Sequence, residues 1–246
     1  MKVIGIIPAR FASSRFPGKP LAMIEGKSMI ERVYQQAKSS RLLEEVLIAT
    51  DDERIADHVK QFGAPVVMTK AEHPSGTDRC YEAYQVFNKT FDYVLNIQGD
   101  EPFLDPAQID EMANACDGKN EIITQMTRCH DPKVLFDLGE VKIAINQQHE
   151  ALYFSRQVIP AIKNQAPEEW HLFYPYFRHV GMYAYRVDVL ESICTLGPSS
   201  LELVESLEQL RWLENGFKIK CVETRYDSHG VDTPEDIAKV LALLHK

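Results

Sequence analysis

Through the first half of the chain, short β-branched apolar runs alternate with segments whose apolar residues recur at helical spacing. "VIGII" (3–7), "VLIAT" (46–50), "PVVMT" (65–69) and "YVLNI" (93–97) read as buried strands. Between the first two, "SMIERVYQQAK" sets Ser28 and Glu31 as a capping box and aligns Ile30, Val33, Tyr34 and Ala37 on one stripe. The spacing predicts a second helix from about Asp52 to Phe62, closed by Gly63. A third follows Gly76 with Cys80, Ala83, Tyr84 and Phe87 inward, and a fourth starts where Asp105 can cap and Pro106 can open the first turn. Strand and helix in alternation predict βαβ units and a mostly parallel sheet with helices on both faces.

The second half is strand-rich. "EIITQMT", "VKIAI", "ALYFSR", "HVGMYAYR" and "FKIKCVE" predict strands, some of them antiparallel, that build a smaller mixed lobe. "NQAPEEWHLFYPYF" (164–177) is expected to be a long loop. "SSLELVESLEQLRWLENG" reads as one long helix with a capping box from Ser199 to Glu202 and a stop at Gly216. A last helix starts at "TPEDIAKVLALL". No shift in composition marks a linker, so a single α/β domain is expected: a part from 1 to about 130, a lobe over about 131–225, and a C-terminal segment over 226–246.

Composition changes this picture only in places. The 246 residues are 45% hydrophobic and 26% charged, ordinary for a globular chain. No apolar run approaches the ~18 residues of a membrane span, and Val3 to Ile7 is short for a secretory segment, so a cytoplasmic protein without membrane contact is expected. Cys80, Cys116, Cys129, Cys194 and Cys221 are scattered without a CxxC pair and are expected to be buried and reduced. Charge is the informative quantity. The net charge is -9, yet residues 1–24 hold Lys2, Arg10, Arg15 and Lys19 with no acid at all. A basic island in an acidic chain points to a local anion site and away from a nucleic-acid surface.

That island lies in "IPARFASSRFPGKPL", which leaves the first strand at its carboxyl end, where open α/β sheets bind ligands. There is no GxGxxG, and "GKS" (26–28) has Leu21 where a Walker A loop needs its first Gly. Arg10, Arg15 and Lys19, broken by Ser13, Ser14, Pro17 and Gly18, can fold around one polyphosphate. Spacing alone equally allows a solvated basic loop.

The loop resembles that of the CMP-sugar synthetases within the sugar nucleotidyltransferase superfamily. "ATDDERI", "SGTDR", "NIQGDEPF", "ALYFSR", "RHVGMYAYR", "LEQLRWLE" and "GVDTPED", in this order along nearly the whole chain, are similar to the 3-deoxy-manno-octulosonate (KDO) cytidylyltransferases of lipopolysaccharide assembly. The resemblance implies a homodimeric, Mg2+-dependent enzyme that transfers CMP from CTP to KDO and releases pyrophosphate. It assigns Arg10, Arg15 and Lys19 to the triphosphate, Lys19 to the leaving pyrophosphate, and Pro8, Ala9 and Gln98 to the nucleotide. Ser75 and Gly76 stand at a predicted helix start that suits base or ribose oxygens, and plain N-capping would explain Ser75 to Asp78 as well. Lys19, Asp100 and Asp232 form the implied catalytic set. Asp100, aimed by a turn at Gly99, is a candidate Mg2+ ligand, since a hard cation needs only one or two carboxylates beside phosphate and water. Pro234 belongs in a first helical turn with Thr233 as cap, which leaves Asp232 outside the helix, and the resemblance gives it metal and sugar-carboxylate contacts.

For an acid sugar, Arg156 offers a cation, and His179, Tyr183 and Tyr185 share one face of their strand. Glu205, Glu208 and Gln209 lie on one helical stripe, with Leu203, Leu207 and Leu210 on the buried one. The resemblance singles out Glu208 and Gln209 and leaves Glu205 without a role. Two departures bear on the sugar contacts: Lys163 is the cation near the segment where relatives often have Arg, and Asn146 ends "VKIAIN" where Asp is usual. A synthetase for another acid sugar, sialic acid or an amino-KDO, would share the phosphate loop. A non-catalytic nucleotide sensor would not need two separated carboxylates.

Overall fold

The computed structural model describes residues 1–13, 15–226 and 230–244. Ser14 of the basic loop lies outside the described residues. The chain forms two compact units, Met1–Asn114 with Ser228–Lys246, and Ala115–Asp227, each considered as far as its residues are described. The strand at "EIITQMT" belongs to the second unit.

The first unit begins with β1 (Val3–Ala9), two residues longer than its apolar run, so that Pro8 ends a strand instead of starting a loop. A tight turn at Lys19–Leu21 follows, then an unforeseen hairpin of β2 (Met23–Ile24) and β3 (Lys27–Ser28). Its two turn residues, Glu25 and Gly26, have positive φ, as a two-residue hairpin turn requires. In α1 (Met29–Lys38), Ser28 Oγ accepts from Glu31 N–H, and Met29, Ile30, Val33 and Ala37 are buried. There follow β4 (Glu45–Thr50), α2 (Glu53–Gln61) capped by Asp52, and β5 (Val66–Met68). Next come α3 (Gly76–Phe87), β6 (Tyr93–Asn96) and α4 (Pro106–Asn114). Cys80 and Ala83 of α3 are buried as expected, while Tyr84 and Phe87 are only half-buried.

All strand pairs of this unit's sheet are parallel: β1 lies between β4 and β6, and β5 adds outside β4. The chain steps outward from β1 to β5 and then crosses to β6 on the other side. Connections leaving β1 and β6 thus diverge, and a crevice opens at their carboxyl ends. The strands are buried on both faces, with Ile4, Ile6, Ile7, Leu47, Ile48, Val94 and Leu95 all 0% exposed, as a helix-covered parallel sheet demands.

The second unit holds β7 (Ile122–Arg128), α5 (Pro132–Leu135), β8 (Lys142–Ile145), β9 (Ala151–Ser155) and α6 (Trp170–Phe173). After these come β10 (Phe177–Arg186), α7 (Val187–Ile193), α8 (Ser200–Glu205), α9 (Gln209–Glu214) and β11 (Ile219–Glu223). β10 pairs antiparallel with β7 and β8, β8 antiparallel with β9, and β11 parallel with β7. The mixed character is as expected. The single long helix is not: Ser206, at φ 54, breaks it into α8 and α9. Leu203 consequently lies 69% exposed, while Leu207 and Leu210 are buried and Gln209 is buried with them. The predicted loop at 164–177 contains α6. The chain then returns to the first unit with α10 (Pro234–Leu244), where Val231 and Val240 pack with Ile24 and Met29. All five cysteines are free, and Cys194 alone among them is not buried.

Candidate active site

In the first unit a cavity of about 540 Å3 occupies the crevice beyond β1 and β6. Pro8, Ala9, Arg10, Arg15, Lys19, Ser75, Gly76, Gln98, Asp100 and Asp232 all line it, which are all the nucleotide and metal candidates drawn from the sequence. Four segments deliver them. The end of β1 and its loop bring the cations, the start of α3 brings Ser75 and Gly76, the turn after β6 brings Gln98 and Asp100, and the approach to α10 brings Asp232.

Gly99 has a different reason from the sharp turn expected of it. A Cβ there would stand 2.8 Å from the Pro8 carbonyl oxygen, so the two strand-end segments can approach only if residue 99 has no side chain. Ser75 does cap α3, its Oγ accepting from Asp78 N–H at 3.2 Å and donating to Asp78 Oδ2 at 2.6 Å. Capping and cavity lining hold together, and the start of a helix suits an anion site.

Charges in the cavity are arranged in opposed pairs. Lys19 Nζ donates to Asp100 Oδ2 at 2.7 Å and to the Val231 carbonyl at 2.9 Å, and lies 3.6 Å from Asp232 Oδ1. Arg15 spans both oxygens of Asp232 at 3.0 Å. Those two side chains are 64% and 49% exposed, and an ion pair so open contributes only about 0–1 kcal/mol. A polyanion can therefore displace Asp232 from Arg15 at small cost. Arg10 is exposed at the cavity and its side chain has no hydrogen bond or ion pair among the described residues.

Sequence reasoning passed over two lining residues that flank or end "SGTDR". His73 Nε2 makes a short contact with Glu82 Oε2, which also accepts Lys70 N–H at 2.8 Å. Burial raises the Glu82 carboxyl, but the Lys70 N–H and His73 outweigh it and hold the group below its ordinary range. Arg79 is buried, its Nη1 donating to Thr69 Oγ1 at 2.6 Å and lying 3.3 Å from Asp51. A charged residue on the inward side of a helix whose neighbour Cys80 is core was the available signal.

The sugar candidates lie in the second unit. The His179 and Tyr183 rings are 5.3 Å apart, and Tyr185 stacks on Tyr183 at 5.9 Å. A register shift between Val180 and Tyr183 interrupts the strand there, so the shared face rests on a bulge and not on strict alternation. Desolvation, with Arg178 adding, pushes the His179 imidazole down to about 3, and Thr124 Oγ1 lies 3.0 Å from its Nε2. Burial raises the Tyr183 phenol well above its ordinary value, with Thr124 opposing the rise and Glu208 and Cys221 adding to it. That hydroxyl is buried and has no hydrogen-bond partner among the described residues, a position suited to a ligand oxygen. Arg156 is held by the protein: its guanidinium donates to the carbonyls of Glu205, Ser206 and Leu138. Glu205 gains a role the sequence did not give it, accepting from Ser155 Oγ at 2.7 Å and Arg156 N–H at 3.0 Å.

A cationic loop and paired carboxylates at the switch point of a parallel sheet define a nucleotidyltransferase, and a family profile described as Cytidylyltransferase matches residues 4–219. A 3-deoxy-manno-octulosonate cytidylyltransferase of Cytophaga hutchinsonii is 50% identical over 241 residues, 98% of this chain and 96% of its own. Another, of Parabacteroides distasonis, is 51% identical over 249 residues, 99% and 98% of the two chains. A solved CMP:2-keto-3-deoxy-manno-octonic acid synthetase complexed with CTP is 38% identical, with a TM-score of 0.91 over 100% of this chain and 99% of that one. This chain belongs to the 3-deoxy-manno-octulosonate cytidylyltransferases.

Proposed function

We propose that the chain transfers a cytidylyl group from CTP to KDO, forming CMP-KDO and pyrophosphate for lipopolysaccharide assembly. One observation carries this reading: eight residues expected at the nucleotide and two expected at its metal converge on one cavity. Phosphoryl transfer needs alignment and charge neutralisation more than covalent help. Arg10, unpaired, and Arg15, weakly paired, meet the triphosphate. Lys19 stands where charge develops on the departing pyrophosphate as the bond from the α-phosphorus to its bridging oxygen breaks. Attack comes from the anomeric hydroxyl of KDO, with the sugar held by His179, Tyr183, Glu208 and Gln209. Arg156 acts from its bonded position at the end of α8.

No group of three or more His, Cys, Asp or Glu suited to a metal occurs among the described residues. Mg2+ does not need one, because one or two carboxylates suffice beside phosphate and water. Asp100 and Asp232 already share one cation, the Lys19 ammonium, so the pair fits a divalent ion. When bound there, Mg2+ supplies charge neutralisation at the α-phosphate and a template for the sugar carboxylate. No helix among the described residues is long and apolar enough to cross a membrane, and we place the enzyme in the cytoplasm as a homodimer, which sedimentation would test.

The deciding experiment incubates the protein with CTP, Mg2+ and, in parallel, KDO, an amino-KDO and sialic acid, and measures pyrophosphate. Release with KDO above the other sugars is expected. Release with none of them refutes the reading.

A further inference from the structure

The motif "ATDDERI" contributes nothing to the cavity wall, yet it touches the loop that does. Phe11 directly follows Arg10, and the Arg54 guanidinium carbon lies 3.4 Å from the centroid of its ring. Arg54 cannot turn freely. Its Nε and Nη2 donate to Asp52 Oδ1 and Oδ2 at 2.9 and 2.6 Å, and Asp52 Oδ1 also accepts the Arg54 N–H at 2.9 Å. Because Asp52 caps α2, this fork fixes the plane of the guanidinium relative to a rigid helix.

The same ring meets the far end of the loop. Gly18 has φ 71, and a Cβ there would come within 3.1 Å of two Phe11 ring carbons. Gly18 N–H donates to the Phe11 carbonyl at 3.0 Å, which ties the two ends of the bend together. Lys19 comes directly after this bend, as Arg10 comes directly before it. An Asp two residues ahead of an Arg at a helix start is a common surface pair. The aromatic ring beneath this one, crowded in turn by Gly18, gives it a second task.

We infer that Arg54, oriented by Asp52, is a positioning residue for the nucleotide: by stacking on Phe11 it sets the bend that aims Arg10 and Lys19 at the triphosphate. The inference rests on the reading of the chain as a CTP-dependent transferase. Its side chain is 62% exposed, so truncating it opens no core, and its effect should show in nucleotide binding and not in folding.

The test compares Arg54→Ala, Arg54→Lys, Phe11→Ala and Phe11→Tyr with the wild type. CTP affinity is measured by calorimetry with Mg2+ and no sugar, alongside KM for CTP, kcat and thermal midpoint. Both alanine variants should bind CTP about tenfold more weakly, ~1.4 kcal/mol, and raise KM far more than they lower kcat, with a midpoint near that of the wild type. Arg54→Lys keeps charge without the planar face and should fall between. Phe11→Tyr should restore binding, and the double alanine variant should be no weaker than Phe11→Ala. Unchanged affinity in both alanine variants, or equal loss in Phe11→Tyr and Phe11→Ala, overturns the inference. A wild type that does not bind CTP refutes the functional reading itself, and the inference with it.

Discussion

Lys19 is the side chain on which the cavity's charges meet, touching Asp100, Asp232 and the Val231 carbonyl. Lys19→Ala should lower kcat roughly 10²–10³-fold, the effect of losing one preorganised electrostatic group, with pyrophosphate release as the measure and circular dichroism showing an unchanged fold. Asp100→Asn and Asp232→Asn should each nearly abolish turnover. Their double variant should be little worse than either, since residues acting as a unit are not additive; a loss equal to the product of two modest ones would separate them. His179 makes a prediction about pH. Its neutral form is kept in the folded state down to about pH 3 by burial, whereas the unfolded chain takes up a proton near pH 6.5. Its contribution is therefore complete above 6.5 and is lost as pH falls toward 3, by about 1.4 kcal/mol per unit. Urea unfolding of wild type against His179→Gln should show their difference shrinking over that window. At this scale the sequence was legible for the cations, because their loop has no competing acids, and for the carboxylates through the family resemblance. It was silent on Arg79 and His73, whose partners Asp51, Thr69 and Glu82 are joined to them only by folding.

Among the elements, the parallel strands of the first unit were readable because burial on both faces leaves unbroken apolar runs, as in "VIGII" and "VLIAT". The pair α8 and α9 was not, because helical spacing across 199–216 is preserved in sequence while Ser206 leaves the helical region. A buried ion pair explains why the break is tolerated. Arg211 of α9 forks onto Glu202 of α8, with the two side chains only 11% and 13% exposed, and also donates to the Leu196 carbonyl at 3.2 Å. Within one continuous helix, Glu202 and Arg211 would be nine positions apart and out of reach; folded back, they clamp the two pieces. The Arg211 fork accordingly holds the Glu202 carboxyl below its ordinary range. Glu202→Ala should cost about 1–3 kcal/mol, since it removes the charged acceptor from a part-buried guanidinium that keeps its bond to the Leu196 carbonyl. Denaturant unfolding would measure it, and a cost under 1 kcal/mol would mean that the clamp is idle.

For the whole molecule, chelation separates activity from stability. Lys19 and Arg15 pair with Asp100 and Asp232, so EDTA should end turnover while the thermal midpoint hardly moves, as calorimetry beside pyrophosphate release would show. The division of the chain was the least legible property. Nothing in composition marks residue 114 or 227, because the division follows from contacts between residues far apart in the chain. The same long range has a consequence for synthesis. Lys19 and the Val231 carbonyl are 212 positions apart. At roughly 5–20 residues per second, the basic loop leaves the ribosome on the order of ten to forty seconds before Asp232 exists. A nascent chain thus carries Lys19 with Asp100 already made, while Arg15 waits for the carboxylate that it spans in the folded protein.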